Sequence, residues 1–320
     1  MIDLTAIQPH KVSRDLSGYI TYIYGPAKAG KTTFATKAPG HLLLAFENGF
    51  NAIPGAMAQP ITSWGDVKAV IRELKKPEVK ERFKVIVVDT CDIAATLCDK
   101  YICQQNDVDT ISQIPYGGGW TKAKKEFEET WRTISQLGYS LIFISHSKDK
   151  TFKREDGSEY NQIIASCPSS YNEIIKNMSD LIGYIDMHNG DRRLVLRSLD
   201  NKVDVGCRFK EIAPVIPFGY DELVKALNEA IDAEATATKN QFVTEERNVT
   251  PIAQEYDYDA LMTQFQTIVG NLMQKDDAKY KPKIQSIVAK VLGRDKKVSD
   301  CTPDQAELIS IIVDELSTLD

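Results

Sequence analysis

Residues 25–32 read Gly25-Pro26-Ala27-Lys28-Ala29-Gly30-Lys31-Thr32, the spacing G-x-x-x-x-G-K-[ST]. Few short strings restrict a fold as much. The chain must leave a strand, turn tightly with its backbone N–H groups facing inward, and start a helix whose positive end faces the same point. The flanks agree: Tyr19 to Tyr24 is β-rich and runs into Gly25, and a helical pattern follows. Such a loop cradles phosphate. Gly25, Pro26, Ala27, Lys28, Ala29, Gly30, Lys31, Thr32 and Thr33 are the expected nucleotide-binding residues, with Lys31 reaching the β- and γ-phosphates and the Thr32 hydroxyl holding Mg²⁺.

A phosphate-bound metal also needs a carboxylate at the end of another buried strand. Val85-Ile86-Val87-Val88-Asp89 supplies one, so Asp89 is the expected Walker B residue and second metal contact. His41 to Phe46 and Ser140 to Ser145 are further short apolar runs, and all four suit strands buried on both faces of a parallel sheet. Helical stripes lie between them: Val67, Val70, Ile71 and Leu74, then Phe127, Trp131, Ile134 and Leu137. Strand C-termini line the ligand crevice of such a sheet. Glu47 ends the second strand, expected beside the P-loop strand, and is the candidate group to orient or deprotonate water. His146 ends the fourth strand and is a candidate γ-phosphate sensor, although a histidine at a strand end is often only a satisfied core group. Farther on, Leu181 to Met187 and Arg193 to Leu199 flank His188-Asn189-Gly190-Asp191, which reads as a β-hairpin.

The expected fold is therefore α/β, a P-loop NTPase core with a mainly parallel sheet over residues 1–232. Residues 233–255 lose apolar periodicity and read as a linker. Residues 256–320 read as a small helical domain, with stripes at Leu261, Phe265, Ile268, Val269 and Leu272, and at Ile284, Ile287, Val288 and Val291. A last helix has Thr302 as N-cap, Pro303 at its first position, Gln305 closing a capping box, and Leu308, Ile309, Ile312 and Leu316 as its buried face.

Charge and cysteines narrow the function. The formal charge is −6, so contact with nucleic acid has to come from a local basic segment against an unfavourable average field. Six cysteines without a C-x-x-C pair argue against zinc and for a reduced, cytosolic chain with buried thiols. Met1 to Leu16 has the composition of neither a signal peptide nor an anchor, and no run has the length of a membrane span. The expected location is the cytoplasm, the host's if the chain is phage-encoded.

Taken in order, the P-loop, a Glu after the next strand, Asp-Thr after the Walker B strand, and a strand ending I-F-I-S-H resemble the RecA-like ATPase core. Within that superfamily the chain resembles phage-encoded RecA-like ATPases of the single-strand annealing or recombination type, through YIYGPAKAGKTTFA, LLLAFENGFNAIPG, VIVVDTCDIAATLCDKYIC, IPYGGGW and GYSLIFISHSKDK. The resemblance implies that Glu47 is the catalytic glutamate and that two loops bind single-stranded DNA. The first covers about 111–120, where Tyr116 and Trp120 flank three glycines and offer faces for bases. A turn leading into a helix, with Trp120 packed inward, is the plainer reading of the same residues. The second starts after His146 and concentrates Lys148, Lys150, Lys153 and Arg154 in an otherwise acidic chain. The resemblance further implies a homo-oligomer, ring or short filament, in which Arg197, Lys202 or Arg208 reaches a neighbour's nucleotide. A single-strand binding protein or other recombination protein is the expected partner of the C-terminal domain. The long N-terminal oligomerisation helix of RecA has no counterpart in Met1 to Leu16.

The leading expectation is thus an ATP- and Mg²⁺-dependent ATPase stimulated by single-stranded DNA. Two alternatives stand beside it. Asn201-Lys202-Val203-Asp204 matches the guanine-reading N-K-x-D of GTPases, although Asp89-Thr90-Cys91-Asp92 lacks the glycine of a D-x-x-G switch. An ATP-driven assembly or signalling switch with no DNA role is the other.

Overall fold

In a computed structural model of the chain, residues 5, 7–198, 200–238, 242–249 and 256–319 are described. Two compact units divide it: Pro9–Ile252, and a second that combines Met1–Gln8 with Ala253–Asp320.

The larger unit alternates strands and helices. After a short β1 (Val12–Ser13), the chain forms β2 (Thr21–Gly25), α1 (Lys31–Ala35), β3 (His41–Ala45), β4 (Ala58–Pro60), α2 (Trp64–Leu74), α3 (Pro77–Arg82) and β5 (Val85–Asp89). It continues through α4 (Cys91–Gln105), α5 (Gly118–Gln136), β6 (Ser140–Lys153), β7 (Glu159–Ala165), α6 (Ser169–Met178), β8 (Leu181–His188) and β9 (Asp191–Val195). Then come β10 (Gly206–Cys207), β11 (Val215–Pro217), α7 (Tyr220–Thr238) and β12 (Val243–Thr244).

The main sheet runs β11-β9-β8-β2-β6-β5-β3-β4, parallel from β8 to β4 and antiparallel at β9 and β11. The central strands are continuous apolar runs because both faces are covered. Tyr22, Leu44, Ile86, Val88, Leu141 and Phe143 pack against the α2, α4, α5 and α6 side. Ile23, Leu43, Val87, Ile142 and Ile144 pack against the α1 and α7 side. Phe127 and Trp131 of α5 are fully buried and make edge-to-face contacts with each other, and Trp131 does the same with Phe143. The β8–β9 hairpin closes through Asn189 (φ 51°) and Gly190 (φ 89°), the left-handed pair of a type I′ turn. Leu199, at the end of the expected second strand, lies outside the described residues.

Two expectations change. β3 does not lie beside β2, because β6 and β5 both come between them. The connections through α4 and α5 return the chain to the middle of the sheet, where the buried first half of β6, with its apolar run Leu141–Ile144, is covered on both faces. The stretch 233–255 is also not a uniform linker. α7 continues to Thr238, where Ala-rich sequence sustains a helix without a strong apolar stripe. Val243–Thr244 pairs in parallel with Val12–Ser13. Arg247 donates to Ser17 O (3.0 Å), Lys84 O (3.1 Å), Gly138 O (2.8 Å) and Ser140 Oγ (3.2 Å), tying together chain segments at the strand ends remote from the P-loop. Residues 239–241 and 250–255 lie outside the described residues.

In the smaller unit, α8 (Tyr258–Leu292) is a helical run broken at Asp276, whose backbone is extended (φ −166°). The Asp276 carboxylate accepts from Lys279 N at 3.0 Å, so it caps the second half. The Thr302–Gln305 capping box opens a short 3₁₀ turn that leads into α9 (Ala306–Ser317). Leu272, Ile284, Ile309, Ile312 and Leu316 form the core, with Leu308 only partly buried. No helix among the described residues is long and apolar enough to cross a membrane. All six cysteines are free, five of them buried.

Candidate active site

The P-loop follows β2 as the sequence requires. An added Cβ at Gly25 would come within 2.9 Å of Ile185 Cβ on the neighbouring β8, so the strand end has room only for glycine. Gly30 has φ +96°, a left-handed conformation that glycine adopts freely. Lys31 lies folded across the loop. Its Nζ donates to Gly25 O (3.0 Å) and Pro26 O (2.7 Å), so the ammonium stands within the ring of backbone that receives a phosphate. Burial pushes its pKa down, opposed by the carboxylates of Asp89, Glu47 and Asp92.

Thr32 Oγ1 donates to Asp89 Oδ2 at 2.6 Å, across the width of β6. A hydroxyl and a carboxylate presented together are hard oxygen donors, the set Mg²⁺ takes when substrate phosphates and water complete its shell. Thr32 and Asp89 therefore fit that ion. An added Cβ at Gly49 would lie 3.4 Å from Thr32 Oγ1, so the turn after Asn48 borders this position closely. Among the described residues, no group of three or more His, Cys, Asp and Glu side chains is arranged to hold a metal by itself.

Burial pushes the Asp89 carboxyl above its ordinary pKa, and Glu47 adds to the shift, while the Thr32 bond, Lys31 and His146 oppose it. A carboxylate with a raised folded-state pKa contributes stability that is full below its unfolded value, about 3.9, and is lost as pH rises through the folded value. Asp89→Asn should therefore raise the urea midpoint of the nucleotide-free protein at pH 7. The gain should shrink toward pH 4, and Mg²⁺-dependent nucleotide binding should fall. A variant no more stable than wild type at pH 7 would show that the carboxylate carries no net burial cost.

Glu47 reaches the site although its strand is distant from β2. Phe46 N and Glu47 N both donate to Asp89 O (2.9 and 3.3 Å), which bends the chain over the end of β5. The Glu47 Oε1 atom accepts from Thr90 Oγ1 at 2.8 Å and lies 3.5 Å from His146 Nε2. Register places His146 opposite Gly25, the first P-loop residue. Both side chains are a little over a third exposed, open to a nucleotide and to water. The site thus brings together Lys31, Thr32, Glu47, Asp89 and His146.

The other sequence candidates lie elsewhere. Tyr116 (φ 57°) is fully exposed in a turn leading into α5, and Gly119 is packed so closely that a Cβ would meet Ile111 O at 2.5 Å. Trp120 is half exposed and lines a cavity of about 500 Å³ with Asp99, Cys103, Asp109 and Ile111. Arg197 donates to Phe209 O (2.6 Å), Lys202 pairs with Asp200 (2.7 Å) and Arg208 with Asp180 (3.4 Å). In the N-K-x-D match, both oxygens of the Asp204 carboxylate accept from Lys176 at 2.7 Å, so that edge is already engaged. The segment after His146 is a long hairpin rather than a loop: β6 runs on to Lys153 and pairs with β7 from Ser147↔Ala165 to Lys153↔Glu159.

Sequence reading missed Arg192. It stands at the start of β9, donates from Nη1 to Ala29 O (3.2 Å), and lies over the Phe218 ring (5.7 Å). An added Cβ on Gly30 would meet its Nη1 at 2.6 Å. Only the antiparallel return of β9 brings this cation to the P-loop, and no local spacing announces it.

A parallel sheet with a phosphate-binding loop on its central strand, a hydroxyl–carboxylate pair for a metal, and a glutamate beside them defines a P-loop nucleotide-binding protein of the ATPase class. The chain belongs to the AAA domain family, whose match covers residues 17–209. It is also similar along its length to the SPbeta prophage-derived uncharacterized protein YorG of Bacillus subtilis (strain 168), 32% identical over 337 residues, covering 99% of this chain and 98% of that protein.

Proposed function

We propose that the chain is a RecA-like, phage-type ATPase that hydrolyses ATP with Mg²⁺, binds single-stranded DNA on the β6–β7 hairpin, and promotes annealing or recombination as a homo-oligomer. Mg²⁺ held by Thr32 and Asp89 would draw charge from the β- and γ-phosphates. Lys31 leaves its two carbonyls for the phosphates, and Glu47 takes a proton from the attacking water. His146, next to Glu47, follows the γ-phosphate. The prophage origin of the relative supports a phage role, and with it action in the host cytoplasm.

The observation that carries the DNA reading is one face of the hairpin. Strand alternation puts Lys148, Lys150, Phe152 and Arg154 on the same side as Tyr160. Phe152 and Tyr160 stack at 5.5 Å, with Lys150 over the first ring and Arg154 over the second, each at 4.8 Å. Cations beside half-buried aromatic rings suit a single strand, whose phosphates and bases they meet together. Lys153 points to the other face and lies 3.5 Å from Glu159, so three cations rather than four make the surface.

Filter binding with a labelled single-stranded oligonucleotide, with and without ATP and Mg²⁺, tests this. Changing Lys148, Lys150 and Arg154 together to Ala should weaken binding and flatten its salt dependence by a slope of up to about 2, since each phosphate neutralised on a single strand contributes about 0.7. ATP binding should survive. A triple variant that binds as wild type at every salt concentration removes the hairpin from the DNA site. A wild type that binds no oligonucleotide in any nucleotide state leaves an ATP-driven assembly switch as the function.

A further inference from the structure

The hairpin is fastened at its base by Asp92, whose carboxylate acts on Lys31 only through its charge, after Asp89 and Glu47. Asp92 stands in the first turn of α4, three residues past Asp89. Its Oδ2 accepts from Ser145 Oγ at 2.7 Å and its Oδ1 from Ser166 Oγ. Ser145 is the β6 residue immediately before His146, and Ser166 is the residue immediately after β7. One carboxylate therefore holds both feet of the hairpin. The joint is completed by Cys167 N donating to Ser145 Oγ (3.2 Å) and Ser166 N donating to His146 O (2.9 Å). Ser145 is fully buried, so its hydroxyl depends on these partners rather than on water.

The same turn is joined to the nucleotide side. Thr90, two residues before Asp92, donates to Glu47, and Asp89 accepts from Thr32. The main chain from Asp89 to Asp92 is the end of a buried strand and the start of a 15-residue helix, two stiff elements. A change at Asp89 and Thr90 on binding Mg²⁺ and nucleotide is thus carried to Asp92 with little slack, and from there to both strands of the hairpin at once. A second tie is independent of it: Ile163 of β7 donates to Lys202 O (2.8 Å) and accepts from Asp204 N (3.0 Å). The hairpin therefore stays attached when Asp92 is changed, which makes the carboxylate testable.

We propose that Asp92 is a positioning residue that sets the β6–β7 hairpin according to the nucleotide state at Asp89 and Thr90, acting through Ser145 and Ser166. The proposal rests on the nucleotide-binding reading of the site but not on the hairpin's ligand.

The test is amide hydrogen exchange across residues 147–165, with and without a non-hydrolysable ATP analogue and Mg²⁺, in the full chain. In wild type the analogue should slow exchange there by about fivefold or more, and in Asp92→Ala the difference should fall below about twofold. Affinity for the analogue should stay within about threefold of wild type. Asp92→Asn, which keeps one acceptor, should lie between the two. A merely structural role predicts faster exchange in Asp92→Ala with the analogue-dependent ratio intact, and that result overturns the proposal. So does a wild type that binds the analogue with no change in the hairpin. If Asp92→Ala does not fold, Ser166→Ala frees one foot only, and its ratio decides in the same way. A wild type that fails to bind the analogue in a direct titration overturns the reading of the site itself and this proposal with it.

Discussion

Lys31→Ala is expected to reduce ATP turnover to background, a loss of at least about 10³-fold, the upper range for removing one preorganised electrostatic group from a transition state. The structure sharpens the reason. The Lys31 ammonium is buried inside the loop, where it donates to Gly25 O and Pro26 O. Without it, those carbonyls face an incoming triphosphate directly, and binding should weaken as well as catalysis. Steady-state turnover and direct nucleotide titration on the purified variant check both. Unchanged turnover would mean that the loop is not the phosphate site.

Glu47→Gln should separate the two effects. The amide is nearly the same size and can still accept from Thr90, so the loop over Asp89 should hold and nucleotide should bind. Hydrolysis should slow by about 10²–10⁴-fold, the range for losing a general base. Single-turnover measurement with prebound ATP reads the chemical step alone. If Glu47→Gln loses binding but hydrolyses whatever it binds at the normal rate, the 2.8 Å contact to Thr90 is a structural tie and another group handles the water.

The placement of residues 25–32 between a strand and a helix, and of Asp89 at a strand end, was legible because it is written locally: a glycine that must turn, a lysine at fixed spacing, and a carboxylate ending a β-branched run. The fold class followed for the same reason, since strands buried on both faces need unbroken apolar stretches. What could not be read was the lateral order of the strands. Apolar runs say that β3, β5 and β6 are buried but not which neighbours which, so Glu47 was expected beside β2 and arrives instead over the end of β5. The hairpin after His146 was hidden because its alternation mixes Asp149, Thr151 and Lys153 with Phe152, a pattern as polar as any loop. Arg192 and Asp92 were invisible for a different cause. Each is held by partners that are distant in sequence, Ala29 for the first, Ser145 and Ser166 for the second, and only the assembled sheet brings them together.

Arg247 has a consequence for how the protein is made. The nucleotide-site residues lie between Gly25 and Arg192, yet the starts of β2, β5 and β6 are fastened by a guanidinium far downstream, through Ser17, Lys84 and Gly138. On a ribosome the P-loop, the Walker B strand and the hairpin all emerge before that fastening exists. At roughly 5–20 residues per second, the clamp follows Arg192 by roughly 3–11 s. During that interval the nascent sheet has its phosphate loop but not its closure at the opposite end. ATP in the cell can therefore meet the site before the domain is complete, and a bound nucleotide would favour the half-built sheet over its unfolded alternatives.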